Sequence, residues 1–165
     1  MKEIFVRLDR CLACNGCEIA CAVEHSAAKN LFAAIAETPL PRKRLYVEYA
    51  AGQGLPILCR HCDPAPCIDA CMTGSMYRDE TKEIVAHEDA RCVGCWMCIM
   101  LCPYGVVGRR REERIALKCD RCPDLETPAC VTACPTRALV FVEAEEFSQT
   151  KRTEAAETIA SDLGR

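Results

Sequence analysis

Cysteines carry the chemistry of this sequence. Cys92, Cys95, Cys98 and Cys102 stand in the spacing C-x2-C-x2-C-x3-C, with Pro103 directly after. Three thiols two residues apart fit one tight loop, from which they reach three corners of an iron–sulfide cube. The backbone N–H groups of such a loop can point at the sulfurs and soften their charge. Gly94 supplies a residue able to take positive φ in that turn. A zinc ribbon uses two distant C-x2-C pairs instead of four cysteines within 11 residues. Cys11, Cys14, Cys17 and Cys21 repeat the spacing, with Gly16 in the loop. Cys59, Cys62, Cys67 and Cys71 widen the middle gap to 4 residues, and Cys119, Cys122, Cys130 and Cys134 widen it to 7. The runs use all 16 cysteines with none left over. That is the thiol complement of four [4Fe–4S] clusters.

Iron held by thiolate alone offers no open position to a substrate, so such clusters pass electrons and do no bond chemistry. The rival enzyme classes lack their signatures. No run continues as C-x3-C-x2-C, and no G-x-G-x-x-G follows a strand. A zinc or iron–sulfur module with a structural or regulatory role is the alternative. Brown absorbance, acid-labile sulfide and about sixteen irons per chain would separate a relay from zinc. Among the histidines (His25, His61, His87), His61 sits between two cysteines, where it either tunes a nearby cluster by hydrogen bonding or simply packs. Trp96 and Met97 are placed to shield their cluster from water.

The elements that must hold these loops are short. Ile4, Val6 and Leu8 alternate with polar residues and predict a strand into the first loop. Ile19, Val23, Ala27 and Leu31 recur every four residues and predict a helix carrying Cys21, ended by Pro39 and Pro41. Strands are expected over 45–49 and 55–58 around a turn at Gly52-Gln53-Gly54, and over 76–78 and 84–87. Pro66 can open the helix bearing Cys67 and Cys71. Val106-Val107 and Ile115–Leu117 flank a charged turn, and Leu139–Val142 reads as the last strand. The polar tail from Glu143 carries a thin stripe of Ala155, Ile159 and Leu163, expected to dock on a partner or fray.

With 1 Trp, 4 Tyr and 4 Phe among 165 residues, a conventional core would be thin, and metal should supply much of the folding free energy. The formal charge of −3 treats cysteine as neutral. An oxidised cubane with four thiolates carries about −2, so four add roughly −8. Such an anion argues against nucleic acid as a partner, and Arg60, Arg91, Lys118 and Arg121 stand close to the cysteines that would carry the charge. Neither a signal-peptide pattern nor an apolar run of membrane-spanning length occurs, so a cytoplasmic setting without direct membrane insertion is expected.

The run order is short gap, long gap, short gap, long gap, and 65–76 resembles 128–139. Two-cluster units in which paired runs exchange their fourth cysteine can be tandem or nested. Spacing alone does not choose. The opening and closing strands favour nesting, because they would pair across the pseudo-twofold of a ferredoxin module.

Cys59-Arg60-His61-Cys62, Ala70-Cys71-Met72-Thr73-Gly74, Val93–Cys98 and Lys118-Cys119-Asp120-Arg121-Cys122 resemble motifs of the four-cluster iron–sulfur subunits of the dimethyl sulfoxide reductase type. The chain is most similar to the short electron-transfer partners of carbon monoxide dehydrogenase and tungsten aldehyde oxidoreductase. The resemblance implies an α+β fold of two bacterial-ferredoxin-like modules with pseudo-twofold βαβ repeats, one inserted in the other. Residues 1–54 with 109–142 would form the outer module, 55–108 the inserted one, and 143–165 a tail. It implies four ligand sets: Cys11, Cys14, Cys17 and Cys134; Cys119, Cys122, Cys130 and Cys21; Cys59, Cys62, Cys67 and Cys102; Cys92, Cys95, Cys98 and Cys71. No catalytic residue is implied. The partners would be a catalytic metalloenzyme subunit and a flavin NAD(P) or hydrogenase-type redox protein, with self-association also open. Ala22 and Met72 stand where the simplest pattern has proline after the fourth cysteine, and Ala22 lets the first helix continue.

Overall fold

The computed structural model describes residues 2–163. Strand β1 (Lys2–Val6) enters the first cysteine loop through a 3-10 turn at Leu8–Arg10, and α1 (Gly16–Glu24) leaves it. After α2 (Leu31–Ala34) come the hairpin β2 (Tyr46–Ala50) and β3 (Gln53–Ile57), then α3 (Pro66–Asp69). A second hairpin, β4 (Met76–Asp79) and β5 (Ile84–His87), leads through the third cysteine loop to α4 (Met97–Met100). The third hairpin is β6 (Gly108–Arg110) and β7 (Ile115–Leu117), followed by α5 (Ala129–Thr132), β8 (Leu139–Glu143) and α6 (Ala144–Leu163).

All four sheets of the described residues are two-stranded and antiparallel. Three join neighbours in the chain. The fourth joins its ends: β1 pairs with β8, with Ile4 opposite Phe141 and Val6 opposite Leu139. Helix α1 packs on α5, and α3 on α4. Elements that flank the first and fourth cysteine runs therefore pack together, as do those that flank the second and third.

Two apolar cores reflect this. One gathers Ile4, Cys17, Cys21, Leu45, Leu58, Cys130 and Leu139. The other gathers Met76, Cys98, Val107 and Ala116, with Cys67, Cys71, Cys92 and Cys102 packed against it. Sulfur fills space that aromatic rings would fill in an ordinary small domain.

Three local expectations change. The helix after Cys17 stops at Glu24 and does not run on to Leu31. Ser26 Oγ donates to the Val23 carbonyl and accepts from Lys29 N–H, while the Asn30 side chain accepts from Phe32 and Ala33 N–H to start α2. These local bonds compete with helix continuation and win. The first hairpin turns at Ala51-Gly52, both at positive φ, one residue earlier than Gly52-Gln53-Gly54. That is the primed two-residue turn matching strand twist. The tail is helical, but its Ile159 and Leu163 are exposed. Phe147 near its start stacks on Phe5 of β1 at 4.6 Å, and Glu154 binds Arg7 and Arg10. The first half of α6 thus docks on its own chain.

Candidate metal centre

The four cysteine loops share one backbone device. The residue before the second cysteine of each run is left-handed: Ala13 (φ 52°), His61 (48°), Gly94 (65°) and Arg121 (61°). Asn15 (58°) and Trp96 (66°) repeat the turn at the starts of α1 and α4. Alternation of handedness turns successive N–H groups toward one side and makes an anion-binding concavity. Only one of the four positions is glycine, and space explains which. A Cβ at Gly94 would sit 2.3 Å from the Arg114 carbonyl oxygen on the β6–β7 turn. At the first loop the small residue is on the other partner: a Cβ at Gly54 of β3 would meet the Ala13 Cβ at 2.7 Å. One hairpin thus covers the first loop and another the third.

Among the fourth cysteines, Cys21 lies within α1, while Cys71, Cys102 and Cys134 follow the one-turn helices α3, α4 and α5 by two residues. The expectation that α3 carries Cys71 is corrected, since the helix closes at Asp69. Pro66 does open it at its first turn. Cys17, Cys21, Cys98, Cys122 and Cys130 are buried, whereas Cys14 and Cys95 reach the surface.

Thiols from different runs lie in each other's fields. Burial and then neighbouring thiols raise Cys130, and those neighbours are Cys119, Cys21, Cys122 and Cys17. Burial pushes Cys17 up to about 11, with Cys134 adding to it. Cys98 rises to about 11 through burial and then Cys92, Cys67, Cys71 and Cys95. Cys67 rises by burial, with Cys59 and Cys102 contributing. Crowded buried thiols of this kind are poor places for bare thiolates and good ones for thiolates that neutralise iron. At Cys71 and Cys134 burial is outweighed by backbone hydrogen bonds, among them Met76 N–H to Cys71 Sγ (3.3 Å) and Ala138 N–H to Cys134 Sγ (3.1 Å), and both thiols are lowered. Arg44 N–H donates likewise to Cys21 Sγ at 3.3 Å.

Two buried groups test whether an anionic iron–sulfur cube suits these loops. His61 is only 5% exposed, and its Nδ1 accepts from Val85 N–H at 3.1 Å, which places the ring proton on Nε2. That N–H, on a residue that stands in the chain between Cys59 and Cys62, is buried with no hydrogen-bond partner among the described residues, which leaves it free to donate to an anion. Burial, then Lys118 and Arg121, push the ring down to about 2, so it is a neutral donor. Lys118 is 4% exposed and forms no ion pair among the described residues. A buried cation facing neutral acceptors also calls for negative charge nearby. The site fits the cluster. His61 both packs and offers the hydrogen bond, whereas Met97 is exposed and shields less than expected.

Residues 51–144 match the family model described as a 4Fe-4S dicluster domain. The chain belongs to this family. An iron–sulfur protein of Rhodospirillum rubrum is 35% identical over 95% of this chain and 90% of its own length. The electron transport protein HydN of Escherichia coli K12 is 36% identical over 90% of this chain and 91% of its own. The thiosulfate reductase electron transfer subunit PhsB of Salmonella typhi is 34% identical over 83% of this chain and 73% of its own. The chain is thus an iron–sulfur electron-transfer protein with a small mixed helix–strand fold.

Around its loops the chain has a polar network that the cysteine pattern does not announce. Arg44 and His25 both bind the Asp120 carboxylate, His25 Nε2 donating at 3.1 Å, while His25 Nδ1 donates to the Cys21 carbonyl at 2.7 Å. Burial alone would lower His25; Asp120 and the Cys21 sulfur carry it up to about 9. Despite burial, His25 and Arg44 hold the Asp120 carboxyl well below the usual range. His25, Asp120 and Cys122 come within 4.8 Å of one another, but both imidazole nitrogens and both carboxylate oxygens are already engaged. Arg78 caps the second loop by donating to the His61 and Cys62 carbonyls. Only Asp120 had a signal in sequence, as part of its cysteine motif. A cleft of 640 Å³ between α1 and β6 is lined by Ile19, Leu40, Lys43, Tyr46 and Arg109. No cysteine lines it. No described helix is long and apolar enough to cross a membrane.

Proposed function

We propose that the chain is a relay of four [4Fe–4S] clusters that carries single electrons between two protein partners. The observation that carries this reading is the meeting of thiols across runs. Cys17 lies in the field of Cys134, Cys130 in that of Cys21, Cys67 in that of Cys102, and Cys98 in that of Cys71. Each meeting joins the body of one run to the fourth cysteine of another. The ligand sets are then Cys11, Cys14, Cys17 and Cys134; Cys119, Cys122, Cys130 and Cys21; Cys59, Cys62, Cys67 and Cys102; Cys92, Cys95, Cys98 and Cys71. The fields that thiols of different sets exert on one another suggest the order: Cys17 on Cys130, Cys59 on Cys119, Cys67 on Cys98. The ends of the relay are the sets containing the exposed Cys14 and Cys95.

Pairing of β1 with β8, and the two separate cores, support an outer module of 1–54 with 109–142 around an inserted module of 55–108, with Ala116 of β7 lent to the inner core. One partner is a catalytic metalloenzyme subunit of the tungsten aldehyde oxidoreductase or carbon monoxide dehydrogenase type. The other is a flavin NAD(P) oxidoreductase or a hydrogenase. Thiols that must stay reduced until iron reaches them favour a reducing compartment such as the cytoplasm.

Anaerobic metal analysis should find about sixteen irons and sixteen sulfides per chain, four of each per cubane. Cys102→Ser should alter the spectrum of the cluster on Cys59, Cys62 and Cys67 and leave that on Cys92, Cys95 and Cys98 intact. The opposite pattern means each run keeps its own fourth cysteine.

A further inference from the structure

Lys118 is the last residue before the fourth cysteine run and directly follows β7. Its ammonium is enclosed and has three acceptors for its three protons: the Val85 carbonyl of β5 at 2.6 Å, the Cys119 carbonyl at 3.0 Å and His61 Nδ1 at 3.1 Å. All three acceptors are neutral. The geometry thus fixes a whole positive charge at a junction of the second run, the fourth run and the second hairpin. No carboxylate among the described residues pairs with it, and a buried charge without a counter-charge is costly.

The anions that can balance it are the thiolates and clusters of two ligand sets. Its hydrogen bonds reach a residue of each: one goes to the carbonyl of Cys119, a ligand of one set, and one to His61, which stands in the chain between Cys59 and Cys62 of the other. His61 helps by taking no charge of its own. It receives both Val85 N–H and Lys118 Nζ on one nitrogen, so the positive charge stays on the lysine.

We propose that Lys118 is a shared counter-charge that sets the reduction potentials of the two inner clusters, held in place by Val85, Cys119 and His61. This rests on the four-cluster reading above. Each inner cluster gains one negative charge on reduction, and a fixed cation between them stabilises the reduced form of both. It is neither ligand nor proton donor, so its effect is on potential and not on cluster content.

The test is an anaerobic redox titration followed by electron paramagnetic resonance, on wild type, Lys118→Met, Lys118→Gln and Lys118→Arg. Iron content is measured first. A wild type with far fewer than four clusters sinks the relay reading itself, before any variant is compared. With iron intact, a neutral variant should lower the reduced-to-oxidised ratio of two clusters at fixed potential at least tenfold, about 59 mV for one electron. The other two clusters should move much less, and Lys118→Arg should restore the wild-type values. Unchanged potentials in an iron-replete neutral variant overturn the proposal, as does an equal shift of all four. If both neutral variants lose iron while Lys118→Arg keeps it, the charge is an assembly requirement and the proposal is also overturned.

Discussion

Gly94 is glycine for two reasons that act together. Its φ of 65° is left-handed, and the backbone of Arg114 occupies the space a methyl group would need. The left-handed conformation alone costs a non-glycine residue about 1–2 kcal/mol. Gly94→Ala should exceed that figure, because the β6–β7 turn must also move off the third loop. Thermal unfolding of the holoprotein should show the loss, together with faster bleaching of one cluster in air; an unchanged melting curve would refute the contact. The glycine and the sixteen cysteines were legible in sequence, because repetition and spacing carry them. The same backbone state at Ala13, His61 and Arg121 was not. Those residues have no intrinsic preference for it, and the surrounding loop over-determines their conformation. Lys118 could be picked out as a basic neighbour of cysteines, but its burial is a tertiary fact.

At the scale of elements, hairpins were readable where apolar alternation marked them and α3 where Pro66 did, although β6 lies at Gly108–Arg110, just past Val106-Val107. The tail is the expected helix, but its stripe of Ala155, Ile159 and Leu163 is exposed and is not what docks α6 on its own chain. The docking face is Phe147, Lys151 and Glu154, spaced by four and three residues and mostly charged, so a count of apolar residues misses it. A stacked aromatic pair contributes about 0.5–1.5 kcal/mol beyond its buried area. Phe147→Ala should therefore release α6, seen as lost ellipticity at constant iron content. Loss of iron in that variant would mean that the helix supports the cluster loops directly. The first helix failed at Ser26 and Asn30 for a related reason: side chains that bond to nearby backbone end a helix regardless of the apolar period.

For the whole molecule, cysteine stands inside both cores, so folding and metal loading are one process. Complete iron removal under anaerobic conditions should abolish most of the far-ultraviolet circular dichroism. A native-like spectrum of the apoprotein would show that the cores persist without metal. The choice between tandem and nested runs could not be made from gap lengths, since both satisfy the same arithmetic. The opening and closing strands favoured nesting, and the pairing of β1 with β8 supports it. That pairing also has a consequence for synthesis. Residues 2–6 wait for residues 139–143, so the sheet between them closes only after the segment that carries all four cysteine runs has been made. At translation speeds of 5–20 residues per second the wait is roughly 7–30 s. During that interval the first four thiols are exposed to oxygen and to stray metal, and a cell making this protein must guard them.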